Sequence, residues 1–355
     1  MSFKLDQTPR GLRRRNFAAP AVVPDTTYAG VHATPFVAPA LKLADTLNKG
    51  FVRQIDGIQN KAVISNLSST GVIVAANCDW TSTDSLNLGE RVLSLTDLAV
   101  MEALCRGTLL PTWAGMTGAR ETMTAGSPEF INFCMATIAG YSAQGVETGI
   151  WQGINLATDM KGFVAGDGSG TLDVTGYQGS ILGTRDGSGN PIVNEVVCAA
   201  ASFASGSSVI ISGTGAFKLV YDEAVASCPA MLNRTDVAFY CSTKTAGEYM
   251  QALAVSGSFQ GVNSQSTNQA FDTLQYLGIP IHVCPGLFDE CLVLTYEENL
   301  VVGSNLNTDY VTSQYIDAWQ YDGGDNVKIA MRFGLGCQVG EPSDVVFGGA
   351  TALFA

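Results

Sequence analysis

Apolar and polar positions change rhythm several times along this chain. Lys61 to Leu67 and Gly71 to Ala75 are short apolar runs split by Ser68-Ser69-Thr70. A polar tip from Asn77 to Asp84 follows, and Glu90 to Leu95 alternates as a half-buried strand does. These stretches predict a long two-stranded flap. With few core-forming residues it is marginal alone and gains stability by lying on a partner. From Thr96 to Arg106, Leu98, Met101 and Leu104-Cys105 recur at helical spacing and predict a short helix. The strongest helical pattern runs over 128–150. Ser127 is placed to cap it, Pro128 suits its first position and Glu129 its first turn. Phe130, Phe133, Cys134, Ile138 and Tyr141 form one apolar stripe, continued by Val146, Glu147, Ile150 and Trp151. Gly153 is the expected terminator. Gly140 and Gly145 weaken the helix and suit close packing or bending.

Further on, Val209 to Ile211 reads as a strand, Ala216 to Ala226 as a helix ending at Cys228-Pro229, Val237 to Cys241 as a buried strand and Thr245 to Leu253 as a helix. The last quarter, Phe271 to Gly340, is rich in strands. Its runs are Gly278–Val283, Cys291–Thr295, Asn299–Val302 and Val327–Phe333, the last entered through the turn 322–325. Helices flanking a mixed sheet predict an α+β chain. Residues 1 to about 45 carry no such rhythm. Pro20, Pro24, Pro35 and Pro39 favour extended chain that is either disordered or laid along another surface. Arg13, Arg14 and Arg15 read either as a solvated end or as a dock for an acidic neighbouring copy or enclosed nucleic acid.

Composition narrows these readings. The 355 residues are 46% apolar and 14% charged, enough for one large domain or two smaller ones with a buried core. A net charge of -13 argues against a general phosphate-binding surface. Nine scattered cysteines include no C-x-x-C pair and are expected to be reduced core residues of a cytosol-made protein. The basic start is not followed by an apolar core. No apolar run approaches the roughly 20 residues of a membrane span, so a soluble protein is expected.

Candidate chemistry is sparse. His282 and Cys284 share a strand face, the only hint of a nucleophile and its base, and read as incidental core neighbours. The acids at 289–290, 297–298 and 322–325 read as turn-forming or solvated groups, not as the facing carboxylates of a glycosidase. The Gly-rich pieces at 166–170 and 185–190 lack both the acid spacing of a calcium loop and the Gly-Lys-Ser/Thr of a phosphate loop, and read as surface loops. No catalytic residue, metal or cofactor is expected. Asp317, Asp325, Lys328 and Arg332 are instead candidates for ion pairs between copies, which set register more than affinity. The flap residues Lys61, Trp80, Asp84, Glu90 and Arg91 join Arg13, Arg14 and Arg15 as further inter-subunit candidates.

Three segments carry a family resemblance. The first is Asn77-Cys-Asp-Trp with Leu86, Leu88 and Leu104-Cys105. The second is the helix end from Val146 to Gly153. The third joins Tyr276 to Ile281, Gly286 to Asp289, Glu298 to Gly303, Asp317 and Asp325 to Gly334. Their order resembles the major capsid proteins of tailed double-stranded DNA phages, of the HK97-like fold, and most of all the branch from phages of Bacteroidetes-type hosts, including crAss-like phages. That resemblance implies an N-terminal arm (1–45), an extended E-loop flap (46–95), a peripheral domain (96–194) with a spine helix at 128–150 and a long sheet, an axial domain (195–310), and a return to the peripheral domain (311–355). It implies a non-enzymatic subunit that assembles into hexamers and pentamers of an icosahedral head in the host cytoplasm. Double-stranded DNA would be enclosed without sequence-specific binding, with no membrane involved. Portal and separate scaffold proteins would be partners, and decoration proteins are left open. Covalent cross-linking is not expected, because no motif pairs Lys61 with an Asn.

Two rivals remain open at this stage. An encapsulin-like shell shares the fold but encloses protein cargo. A secreted carbohydrate-active enzyme would account for the sheets and acid clusters.

Overall fold

The computed structural model describes residues 26–29, 44–69, 86–105, 128–153, 160–164, 179–182, 186, 188, 191–204, 209–211, 213–256, 274–306, 311–318 and 326–350. The described residues form two six-stranded sheets, one two-stranded hairpin and a long helix, with shorter helices beside them.

The first sheet contains β1 (Thr26–Ala29), β2 (Arg53–Ile55), β5 (Thr96–Cys105), β11 (Leu300–Ser304), β12 (Thr312–Asp317) and β13 (Asn326–Val339). Its axis is β13, fourteen residues long. From Val327 to Phe333 its odd positions are buried, while Lys328 and Arg332 are exposed, the alternation of a strand with one face on a core. The expectation of a strand over 327–333 holds, and the strand continues through Gly334 and Gly336. The helix expected at 96–106 is instead β5, paired antiparallel with β13 from Thr96↔Leu335 to Cys105↔Asn326. Leu98, Val100 and Leu104 turn to the core and Met101 faces out, so alternation and the long partner strand override the helical spacing. In the Pro-rich arm, β1 lies on the chain's own sheet by pairing with β12.

Against the inner face runs the helix α2 (Pro128–Gln152), 25 residues or about 37 Å at 1.5 Å per residue. Cys134, Met135, Ile138, Val146, Ile150 and Trp151 are buried in the first core. Tyr141, expected in the stripe, is exposed instead. A Cβ at Gly140 or Gly145 would meet nothing, so neither marks a close approach. Gly153 ends the helix at φ 77°. The carbonyls of Ile150 and Trp151 then accept from Phe163 N at 2.8 Å and Val164 N at 2.7 Å, so returning chain satisfies the helix end.

The second sheet has the order β6 (Asn194–Cys198), β14 (Val346–Ala350), β10 (Cys291–Tyr296), β7 (Val237–Cys241), β9 (Ile279–Val283), β8 (Gln275–Tyr276). The helices α3 (Ala216–Ser227) and α4 (Thr243–Ser256) flank it. Phe239, Cys241, Leu292, Leu294 and Val346 face a core filled by Phe217, Val220, Ala246 and Tyr249. Ala238, Tyr240, Val293 and Phe347 face the first core. Burial on both faces explains why these strands read as unbroken apolar runs. Val209–Ile211, expected as a strand, is a single 3-10 turn. Three apolar residues are too few to tell the two apart by period.

Two strands depart from a division of the chain at 310. Leu300–Ser304 pairs with β13 and β2 in the first sheet, while Val346–Ala350 lies inside the second, between β6 and β10.

Candidate assembly surfaces and the joint between the sheets

The flap is a hairpin of β3 (Lys61–Ser69) and β4 (Leu86–Ser94). The expected turn at Ser68–Thr70 is overridden, because β3 runs on through Ser69 and pairs with 86–94. The second run, 71–75, lies outside the described residues, as do the tip 77–84 with Trp80 and Asp84. The hairpin's two faces differ. On one, Ile64 and Ala62 pack with Leu95 around buried Ile58, Leu93 and Val301, fixing the root to the first sheet. On the other, Val63 stands directly opposite Val92, and Leu88 lies further along. All three are at least half exposed. Lys61 and Glu90 share this outer face and are exposed. Arg91 belongs to the inner face, opposite Ile64, and is half-buried. Burial lowers its pKa and the carboxylate of Glu341 opposes that fall.

A second surface is the outer face of the first sheet. Lys328, Ala330 and Arg332 line it, opposite Ala103, Met101 and Ala99 of β5. Met101 and both cations are exposed. Asp317 pairs through its backbone with Val327, next to Lys328. The structure thus brings Lys328, Arg332 and the Asp317 position onto one sheet. Asp325 and Arg13 to Arg15 lie outside the described residues.

The acids at 289–290 and 297–298 are engaged within the chain, and those at 322–325 lie outside the described residues. Asp289 accepts from the Ser242 hydroxyl at 2.8 Å, and Lys244 sits 3.5 Å from Glu290. Glu297 meets His282 Nε2 at 3.1 Å, and Glu298 lies 3.6 Å from Arg234. His282 stacks on Phe51 with ring centroids 3.9 Å apart. Burial pushes the Cys284 thiol well up. Among the described residues, no group of three His, Cys, Asp or Glu is arranged for a metal ion, and no helix is long and apolar enough to cross a membrane. Among the described residues no cysteine is in a disulfide, and seven of them are buried. Cys105 alone among the described cysteines is exposed, unlike the core position expected for it.

The joint between the two sheets went unread in the sequence. A strap from Ala44 to Val52, including the short helix α1 (Asp45–Asn48), crosses from the first core to β7 and β9. Glu147 of α2, 5% exposed, accepts from Thr46 N at 2.9 Å, from the Thr46 hydroxyl at 2.5 Å and from Gly286 N at 3.5 Å. Trp151 Nε1 donates to the same hydroxyl at 2.9 Å. Tyr240 donates to the Phe51 carbonyl at 2.8 Å. Gly286 lies so close to α2 that a Cβ there would stand 2.2 Å from the Glu147 carbonyl oxygen. Burial raises the Glu147 pKa. Its bonds from Thr46 and Gly286 oppose that rise, and the Asp45 charge adds to it. An acid within an apolar helical stripe was the one available signal.

No family model and no curated protein matches this sequence. Solved structures do. A chain of the satellite phage P4 procapsid, whose structure includes the size determination protein Sid, aligns with TM-score 0.52 at 11% identity, over 89% of this chain and 98% of that one. A chain from the capsid of a native GTA particle aligns with TM-score 0.51 at 12% identity, over 86% and 90%. One from Gordonia phage Cozz gives 0.50 at 13%, over 86% and 87%. The chain has the HK97-like α+β fold that it shares with phage capsid proteins.

Proposed function

We propose that this chain is the major capsid protein of a tailed double-stranded DNA phage, a subunit without catalysis that builds hexamers and pentamers of an icosahedral head. The observation that carries the reading is the β3–β4 hairpin. It leaves the subunit with an apolar ladder of Val63, Val92 and Leu88 on its free face. Such a ladder has no partner of its own among the described residues and gains by burial on a neighbouring copy. Many modest interfaces of about 800 Å² per partner, closed by symmetry, make a stable shell. The shared fold supports the same reading.

In this reading residues 1–45 are the arm and 46–95 the E-loop region. The peripheral domain is the first sheet with α2. The axial domain is the second sheet with α3 and α4. The boundary therefore follows the sheets, with Leu300–Ser304 peripheral and Val346–Ala350 axial. Lys61, Glu90, Lys328, Arg332 and Asp317 are contact residues, together with Arg13, Arg14, Arg15, Trp80, Asp84 and Asp325. Arg91 instead braces the hairpin root. The net charge of -13 suits an inner wall that encloses DNA without gripping it. A portal and a scaffold protein are the partners, and assembly takes place in the host cytoplasm.

Negative-stain microscopy of the expressed chain tests the proposal. Hexamers, pentamers, tubes or closed shells are expected, and Val63→Lys with Val92→Lys should abolish them. A small monomer that persists at high concentration would refute the reading. Particles loaded with protein rather than DNA in the native source would point to an encapsulin-like shell.

A further inference from the structure

The turn between β8 and β9 breaks a local rule. It passes through Leu277 and Gly278, both with positive φ, 50° and 85°. Two-residue hairpin turns with both φ positive favour Asn-Gly or Asp-Gly, because a bulky side chain in the left-handed region crowds its own backbone. Among the described residues little repays that crowding, for Leu277 is 66% exposed. Strain without an internal return is characteristic of a contact site.

The opposite edge of the same sheet offers the counterpart. β6 is the other terminal strand and pairs only with β14 among the described residues. It exposes Val197 (58%), and Ile192 just before it is exposed as well. Six strands separate these edges by about 24 Å at ~4.8 Å per spacing. One subunit therefore cannot bring its own edges together, while two copies side by side can. Strand addition at the Leu277 end is disfavoured, because the edge strand β8 has only two residues. Side chains must make the contact.

We propose that Leu277 is an apolar knob that packs on Ile192 and Val197 of the next copy. The contact is head-to-tail, the kind that closes a ring around an axis. The proposal rests on the shell reading and names a contact within it.

Leu277→Asn separates the knob from the fold, because Asn suits this turn. The variant subunit should melt at the wild-type temperature or above it. Its half-assembly concentration, followed by light scattering and microscopy, should rise at least about 10-fold. Val197→Lys should weaken assembly in the same way without touching the turn. Combining Leu277→Asp with Val197→Lys should restore part of what each single change removes. Leu277→Asn assembling at wild-type concentration, or melting lower because Leu277 packs within its own subunit, overturns the proposal. So does a double variant no better than the worse single. A wild-type chain that forms no particles sinks the shell reading as well, whereas particles formed equally by wild type and Leu277→Asn sink the knob alone.

Discussion

Replacing Glu147 tests whether the joint between the sheets is built as described. Glu147→Ala leaves Thr46 N and Gly286 N buried without their acceptor. Each stranded donor costs about 1–3 kcal/mol, so a loss on the order of 4 kcal/mol is expected. Glu147→Gln keeps one acceptor and removes the buried charge, and a loss nearer ~1 kcal/mol is expected at neutral pH. The two variants also differ from wild type in pH dependence. Burial and the Asp45 charge raise the carboxyl above its ordinary 4.5, against the bonds from Thr46 and Gly286. A raised acid binds its proton more tightly in the folded state than in the unfolded one. Wild-type stability relative to Glu147→Gln therefore grows as pH falls through the folded pKa, and levels off below the unfolded value of 4.5. Each pH unit by which the acid is raised is worth about 1.4 kcal/mol. Paired denaturant unfolding of the unassembled subunits between pH 4 and 8 measures this difference. Were wild type to lose ground to Glu147→Gln on acidification, the donors would outweigh burial and the reasoning would fail. Glu147→Ala within 0.5 kcal/mol of wild type would refute the buried joint itself.

Other outcomes are checked more simply. Gly286→Ala places a Cβ 2.2 Å from a backbone oxygen of α2, so the loop must move, and a loss of about 2 kcal/mol or more in thermal unfolding is expected. Tyr240→Phe removes the bond to the Phe51 carbonyl, and about 1–3 kcal/mol should be lost in the same assay. Burial pushes the thiols of Cys134, Cys198 and Cys228 up to about 11. Among the described cysteines, Cys105 should therefore react with an aromatic disulfide reagent in the native subunit, and the others only on unfolding.

The sequence made legible what is local. α2 follows from Pro128, Glu129 and a stripe at helical spacing, and β7 and β10 from apolar runs too short for helices. What it misread depends on distant partners. Leu98, Met101 and Leu104 imitate a helix, and only β13, more than 200 residues away, turns them into a strand. Gly336 carries no local signal of its role, yet a Cβ there would stand 2.3 Å from the Ser94 oxygen, so the glycine is what lets the hairpin root cross β13. Thr46 sits in a stretch of no evident pattern, and its worth comes from Glu147, 101 residues on. Of the residues proposed for contacts, Lys61, Glu90, Lys328 and Arg332 were legible because charges on strand-like runs stand out as exposed. Val63, Val92 and Leu277 were not, because an apolar residue in a strand-like run reads as core until its exposure is known.

The place of β14 has a consequence for synthesis. This strand lies in the interior of the second sheet, yet it is made about 150 residues after its neighbour Asn194–Cys198. At 5–20 residues per second, the ribosome takes roughly 7–30 s to cover that distance. Until Val346–Ala350 emerges, β6 and β10 stand apart with open edges, and the sheet has a gap in its middle. A nascent chain therefore cannot offer its neighbours a finished second half. Under the proposed assembly, chains that have not yet made this strand are kept out of the growing shell.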